Sequence, residues 1–150
     1  MPVTMKQVLA EIDRDEPDYA KAAKLGPEAV PHLRQIAEAD DPLRASKAAY
    51  LASLIPGKES LDLLTAAAGR HEAEIRVAVA HALRNTKNAP HAVLEQLLDD
   101  RDPGVRKVTL RTVGHLKVPA LRDKVATIAK NDEDEFLRTA ATTTMKALKG

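Results

Sequence analysis

Side chains that could carry chemistry are few in this chain and lie far apart. There are five histidines and no cysteine among 150 residues, which excludes disulfides, zinc–thiolate sites and a cysteine nucleophile. One histidine has a neighbouring carboxylate, in His71-Glu72, and no HExxH or other close ligand cluster occurs. A single dyad does not fill the coordination sphere of a two-metal site. We therefore expect no catalytic residue, no bound metal and no organic cofactor.

The strongest regularity in the sequence is a recurring arginine. Each of four arginines follows an aliphatic residue, and the steps between them are 32, 30 and 32 residues. These arginines are Arg44, Arg76, Arg106 and Arg138. Seven residues after each comes an apolar side chain, at Leu51, Leu83, Val113 and Met145. A second amphipathic stretch precedes each arginine, so each unit is predicted to be helix A, a short turn and helix B.

This repeat predicts an all-α fold, a right-handed α-solenoid of about five antiparallel helix pairs. Helix punctuation agrees, because Pro27, Pro90 and Pro119 stand where A helices should begin. Asp40, Asp41 and Asp102 precede the B helices and can cap them. We expect one domain over residues 1–150. Its predicted units are a divergent capping pair at 1–26 and repeats at 27–59, 60–89, 90–117 and 118–150.

Two segments resemble HEAT repeats, particularly the short type of about 30 residues named after phycobilisome lyases. They are residues 26–33 (GPEAVPHL) for an A helix and 97–106 (LLDDRDPGVR) for the turn between A and B. The resemblance implies a fold and says little about function. It also implies a ladder in which an acidic residue, six positions before each arginine, pairs with the arginine of a neighbouring unit.

The matching ladder positions are Glu38, Arg70, Asp100 and Asp132. Arg70 departs from the acidic pattern, so we expect a break in the second unit, where Glu72 or Glu74 could substitute. The four recurring arginines are interpreted as structural and not as ligand contacts.

In HEAT solenoids, as the resemblance implies, the B helices line the concave side. Positions one, five and eight after each arginine share a helix face. They carry no carboxylate in this chain. In order they are Ala45, Ala49, Ala52; Val77, His81, Arg84; Lys107, Arg111, Gly114; and Thr139, Thr143, Lys146. We expect an acidic segment of a protein or peptide to bind at His81, Arg84, Lys107, Arg111, Thr143 and Lys146. The alternative is that these cations are ordinary solvated helix formers.

These features favour a non-catalytic protein-binding scaffold or adaptor over an enzyme. Nucleic-acid binding through the same basic stripe is one alternative, although a net charge of +1 argues against strong non-specific binding. A HEAT-like enzyme or lyase-type subunit is the other. HEAT-like relatives of that kind include deoxyhypusine hydroxylase, with several His-Glu dyads, and alkylpurine DNA glycosylases, with aromatic residues in a basic groove. This chain has one dyad, no tryptophan and three aromatic residues, and nothing in the sequence indicates a bilin pocket.

The sequence also carries expectations about location and assembly. No apolar signal region begins the chain, and no apolar run approaches the ~18 residues of a membrane-spanning helix. Together with the lack of cysteine, this predicts a cytoplasmic protein without a membrane partner. Phe136, Met145 and Leu148 give the last helix partly apolar turns, so a monomer and a weak homodimer are both open.

Overall fold

The computed structural model describes residues 2–149, which form ten α-helices and four short 3-10 turns without a β-strand. The helices are α1 Met5–Ile12, α2 Tyr19–Ala22, α3 Val30–Glu38, α4 Pro42–Ser53, α5 Lys58–Ala67, α6 Ala73–Ala82, α7 His91–Leu98, α8 Pro103–Leu116, α9 Arg122–Asn131 and α10 Glu135–Lys149. The 3-10 turns Ala23–Leu25 and Leu83–Asn85 continue α2 and α6, and Pro27–Ala29 and Pro119–Leu121 lead into α3 and α9.

Consecutive helices form five pairs that stack in chain order. The second helices of the pairs, α4, α6, α8 and α10, contact each other in sequence. The first helices contact each other along the other side. Helix α3 contacts both α1 and α5, and α7 contacts α9. This arrangement confirms the predicted α-solenoid of helix pairs. We call α2, α4, α6, α8 and α10 the B helices, as in the sequence prediction.

Short polar side chains fix where the B helices begin. The Asp41 carboxylate accepts a hydrogen bond from the Arg44 amide at 3.1 Å. Asp102 does the same for the amides of Gly104 and Val105, at 2.8 and 3.2 Å. Each cap is followed by a proline at the first helical position, where a missing N–H costs no hydrogen bond. These caps fix the first residues of α4 and α8.

The core is a continuous strip of leucine, isoleucine, valine and alanine that runs between the two stacks. Ile75 and Val105, each just before a recurring arginine, are fully buried, but the equivalent Leu43 is 63% exposed. The residues two positions after the arginines, Ser46, Ala78, Val108 and Ala140, are only half-buried. The buried face of the B helices is therefore centred away from the positions two residues after the arginines.

Most of the predicted repeat boundaries lie between helices. The divergent first pair consists of α1 and the short α2, both within residues 1–26. Three predicted boundaries fall between helices, but the one between residues 59 and 60 falls inside the first turn of α5, which begins at Lys58. Gly57, with a φ of 135° that favours glycine, is the N-cap of α5.

Candidate functional site

The six residues predicted to bind a partner lie on three consecutive B helices and the turn that follows α6. His81 belongs to α6 and Arg84 to the 3-10 turn after it. Lys107 and Arg111 are one turn apart on α8, and Thr143 and Lys146 lie on α10. All six are exposed. We call them the B-helix surface; its concave position remains a prediction.

The cations of the B-helix surface form no ion pairs within the described chain. Among residues 2–149, Arg84, Lys107, Arg111 and Lys146 take part in none of the ion pairs. One polar contact extends the surface, because Arg84 Nη2 lies 3.4 Å from His115 Nδ1. His115 is also exposed and lies on α8. The surface therefore presents positive charge that the described part of the chain does not neutralise.

The same positions of the second pair do not continue this surface. Ala45, Ala49 and Ala52 are fully buried, with no exposed area. Small side chains on α4 allow its neighbours to approach closely, so these positions belong to the core. The predicted stripe of outward positions is therefore wrong at its first unit and begins only at α6.

Two tyrosines and a histidine lie at the α6 end of that stripe. The rings of Tyr19 on α2 and Tyr50 on α4 meet edge to face, with centroids 4.7 Å apart. The Tyr50 ring stacks on His81, with centroids 5.8 Å apart and an interplanar angle of 13°. All three rings border a shallow depression of about 250 Å³. We call Tyr19, Tyr50 and His81 the aromatic row.

The aromatic row did not follow from the scarcity of aromatic residues in the sequence. Its members stand at 19, 50 and 81, two steps of 31 residues each. That spacing nearly equals the repeat and was the available signal. Burial, and then the neighbouring Tyr50, raise the pKa of the Tyr19 hydroxyl above its usual value. The row places flat apolar faces beside the cations, an arrangement suited to an acidic partner that also carries apolar groups.

The recurring arginines contact the turns between helices. Arg76 Nε donates to the Asp100 carboxylate at 2.8 Å, and Arg106 Nε lies 3.3 Å from the Asp132 carboxylate. Each of these pairs joins one helix pair to the next. The Arg106 Nε contact lacks hydrogen-bond geometry, and this nitrogen is buried without a partner among the described residues. Arg106 instead donates to the Asp100 carbonyl at 2.8 Å.

The first and last of these arginines make other contacts. Arg44 donates to both oxygens of Asp13 in the preceding pair, at 2.9 and 2.7 Å. Arg138 donates to the carbonyls of Asp132 and Glu133 at its own turn. These contacts are compatible with the structural interpretation of the four arginines, which stays a prediction.

Arg70, which replaces the expected acid, holds the second and third pairs together differently. Its guanidinium donates to the carbonyls of Ala37 and Ala39 in the preceding pair. It also donates to Glu72 at 2.9 Å. Glu72 therefore pairs with Arg70 and does not substitute for the missing acid toward Arg44. The backbone amide of Glu72 and then Arg70 lower the pKa of the Glu72 carboxyl, and this contact occupies the acid of the one His-Glu dyad.

No family model matches this chain, and no curated protein matches it. Among solved structures, it is similar to the complex of CpcE and CpcF of phycocyanin lyase from Nostoc sp. PCC7120. The TM-score is 0.65 at 18% sequence identity, over 99% of this chain and 66% of that one. The present chain thus spans less than two thirds of the length of its neighbour. At this identity the likeness shows the fold, and the predicted resemblance to HEAT-like repeats of the lyase type is confirmed at that level.

The neighbour also corrects one prediction. The expectation that the chain is not an enzyme rested on a HEAT-like fold without recognisable catalytic motifs. That inference is wrong, because a similar solenoid of helix pairs occurs in a phycocyanin lyase. The neighbour itself is a complex of CpcE and CpcF. None of the helices within residues 2–149 is long and apolar enough to span a membrane. The chain is therefore a HEAT-like α-solenoid that resembles a lyase subunit in fold.

Proposed function

We propose that this chain is a HEAT-like subunit of lyase type that acts together with a protein partner bound at the B-helix surface. The observation that carries this proposal is the set of exposed cations at Arg84, Lys107, Arg111 and Lys146, which form no ion pair among residues 2–149. The similar fold of a two-subunit phycocyanin lyase supports it.

The geometry favours an acidic binding partner. Lys107 and Arg111 are four residues apart on α8, so their side chains project from adjacent turns of one face. Because both are exposed, a partner carboxylate can approach them with little desolvation of buried groups. Complementary charge of this kind chiefly increases the association rate and selects the partner.

The aromatic row indicates which other chemical groups the partner should carry. Tyr50 and His81 present stacked rings at the end of the basic surface. Flat side chains with few rotatable bonds favour contact with apolar or conjugated groups. We therefore expect the bound group to be acidic at one end and apolar at the other, with the acidic end toward α8 and α10.

Phycocyanin is the probe that tests the proposal. Purified chain is mixed with phycocyanin, complex formation is followed by sedimentation velocity, and the visible absorption of the phycocyanin is recorded over time. We expect a complex and a change in absorption that requires the chain. No complex, or a complex whose absorption stays that of phycocyanin alone, contradicts the proposal.

A pair of double substitutions tests where the partner binds. Lys107→Glu with Arg111→Glu should weaken the complex by about tenfold or more, because two favourable charge contacts become repulsive. The matched control is Arg122→Glu with Lys130→Glu on α9, which makes the same charge change on exposed residues of an A helix. Equal weakening by both double variants would show that net charge, and not the B-helix surface, governs binding.

A further inference from the structure

The recurring arginines of the third, fourth and fifth helix pairs are anchored in the same way. In each, the Nη1 of the guanidinium donates to the carbonyl six residues earlier, at the turn between the two helices of its own pair. The three contacts are Arg76 to Arg70 at 3.0 Å, Arg106 to Asp100 at 2.8 Å and Arg138 to Asp132 at 2.6 Å. This shared anchor holds the three guanidinium groups in equivalent positions.

The other nitrogens of the guanidinium face a carboxylate of the following pair in two of the three cases. Arg76 donates from Nε and Nη2 to Asp100, and Arg106 Nε lies 3.3 Å from Asp132. Among residues 2–149, Arg138 forms no ion pair, and its Nε and Nη2 make no hydrogen bond. Neither nitrogen is among the buried polar atoms that lack a partner, so a ligand can reach both.

The turns that meet Arg76 and Arg106 share a short motif of aspartate, any residue and aspartate. The first aspartate accepts from the amide of the second at 2.9 Å in both turns. The second accepts from an amide two residues further on, at 2.8 Å in both turns, and so caps the next helix. The motif members are Asp100 and Asp102 in one turn and Asp132 and Asp134 in the other. The first carboxylate is therefore held on an ordered turn from which it reaches the preceding pair.

A threonine hydroxyl joins successive B helices close to these ion pairs. Thr112 on α8 donates to the Ala80 carbonyl at 2.6 Å. Thr144 on α10 donates to the Leu110 carbonyl at 2.9 Å. Each accepting carbonyl belongs to the fourth residue after a recurring arginine. On α10 that residue is Thr142, which is exposed. Helix α10 therefore repeats the acceptor of α6 and α8 beside a guanidinium that has no carboxylate in the described chain.

We infer that the side of α10 with Arg138 and Thr142 binds a helix pair of a partner protein, whose inter-helix turn carries aspartate, any residue and aspartate. The first aspartate of that turn accepts from Arg138 Nε and Nη2, as Asp100 does from Arg76. A hydroxyl on the partner's second helix donates to the Thr142 carbonyl. Paired N–H groups on a carboxylate give both strength and orientation. The inference does not rest on the proposed lyase role, because Arg138 is not part of the B-helix surface.

Charge favours an acidic partner over a second copy of this chain. The helix face of Thr142 also carries Lys149 and Lys146, the latter shared with the B-helix surface. Both lysines are exposed and form no ion pair among residues 2–149. The first pair of a second copy would bring Lys21 and Lys24, on α2 and the turn after it, toward these lysines. Like charges across an interface repel, so the second helix of the partner should be acidic.

A peptide that copies residues 97–106 (LLDDRDPGVR), the turn that meets Arg76, is the probe. It is titrated at constant ionic strength into the ¹⁵N-labelled chain, and the arginine Nε–Hε signals are followed. We expect a saturable shift of the Arg138 signal. The Arg76 signal should not move, because its Nε already donates to Asp100. Arg122, exposed on α9 and in no ion pair of the described residues, is the control for non-specific attraction. A linear Arg138 shift, or an equal shift of Arg122, would overturn the inference.

Two peptide variants with the same charge change show whether the correct carboxylate is recognised. Asp100→Asn in the peptide should weaken binding by about tenfold, the loss of a charge-assisted contact. Asp99→Asn is the matched control and should bind as the parent peptide does, because Asp99 pairs with Lys124 and not with an arginine. Equal weakening by the two substitutions would mean that peptide charge alone governs the interaction, which contradicts the inference.

Matched substitutions in the chain complete the test. Arg138→Lys keeps the charge but loses the planar pair of donors, so peptide binding should weaken by about tenfold. Arg122→Lys makes the same change on α9 and should leave binding unaltered. Circular dichroism of both variants checks that the helices are retained. Sedimentation velocity of the chain alone tests the other occupant: self-association that Arg138→Lys abolishes would place a second copy on α10 and overturn the assignment to a partner protein.

Discussion

The guanidinium of Arg76 joins the third helix pair to the fourth. It donates to both oxygens of the Asp100 carboxylate, at 2.8 and 3.1 Å, and to the carbonyls of Arg70 and His71. Both charged side chains are only 9% exposed. A buried pair is costly to break on one side, because the remaining charge keeps its desolvation cost without a partner.

We therefore expect Asp100→Ala to lower the free energy of unfolding by about 3 kcal/mol. The comparison is Asp13→Ala, which removes the partner of Arg44 from a pair whose side chains are 45% and 39% exposed. An exposed pair contributes about 1 kcal/mol or less. Urea denaturation followed by circular dichroism measures both changes. Similar losses in the two variants would show that burial does not set the strength of these contacts.

The same pair predicts how stability depends on pH. Burial acts to raise the pKa of the Asp100 carboxyl, but the hydrogen bonds from Arg76 and from the Asp102 amide outweigh it, so the pKa lies below the ordinary 3.8. A carboxyl with a lowered pKa in the folded state stabilises the protein while it is ionised. Its contribution is therefore complete above the ordinary pKa and is lost as the pH falls through the lowered one.

Acid denaturation curves test that dependence. As the pH falls below the ordinary carboxyl pKa of 3.8, the unfolding free energy of the parent should fall more steeply than that of Asp100→Asn, which cannot titrate at this position. Arg76 stays charged throughout the range, since its pKa is raised, chiefly by the hydrogen bond to Asp100. Parallel curves for parent and variant would mean that Asp100 does not contribute to the acid response.

Sequence reasoning predicted the fold because its signal is repeated. Four arginines at steps of 32, 30 and 32 residues fix the register of four helix pairs at once. Asp41 and Asp102 then mark helix starts through local hydrogen bonds, which need no tertiary information. The arginine spacing and the local capping residues agree, so the order of the helices could be derived without coordinates.

The site was less predictable because it depends on neighbours and not on spacing alone. Ala49 and His81 occupy equivalent positions five residues after an arginine, yet Ala49 is fully buried and His81 is exposed. Helical periodicity says which residues share a face, and only the packed structure says what covers that face.

The buried alanines of α4 lead to a prediction about packing. Ala49 has no exposed area and lies on a helix that contacts α3, α5 and α6. Ala49→Leu should destabilise the protein by about 1–3 kcal/mol, because the extra carbons must displace packed neighbours. Thr143→Leu on α10, at the equivalent but exposed position, is the control and should change stability by less than about 0.5 kcal/mol. A neutral Ala49→Leu in thermal and urea unfolding would show that α4 has room on this face.

The aromatic row predicts a titration. Burial is the largest cause of the raised pKa of Tyr19, and the Tyr50 hydroxyl is the next. Tyr50→Phe keeps the ring and removes the ionising group, so Tyr19 should ionise at a lower pH than in the parent. The chain has only two tyrosines, so the variant gives a single absorbance titration, and ¹³C NMR resolves Tyr19 in the parent. An unchanged Tyr19 titration would mean that the two hydroxyls do not interact.

Lys117 at the end of α8 provides a prediction about backbone conformation. It is the one residue other than glycine with a positive φ in the described chain, 54°, and it forms the left-handed C-cap of the helix. An L-residue pays about 1 kcal/mol or more for that conformation, whereas glycine adopts it freely. Lys117→Gly should therefore raise the free energy of unfolding by about 1 kcal/mol. Lys107→Gly, in the interior of the same helix, should lower it by about 1 kcal/mol. Urea unfolding of both variants should thus give changes of opposite sign, and a loss in both would show that the Lys117 side chain stabilises the turn more than its backbone strains it.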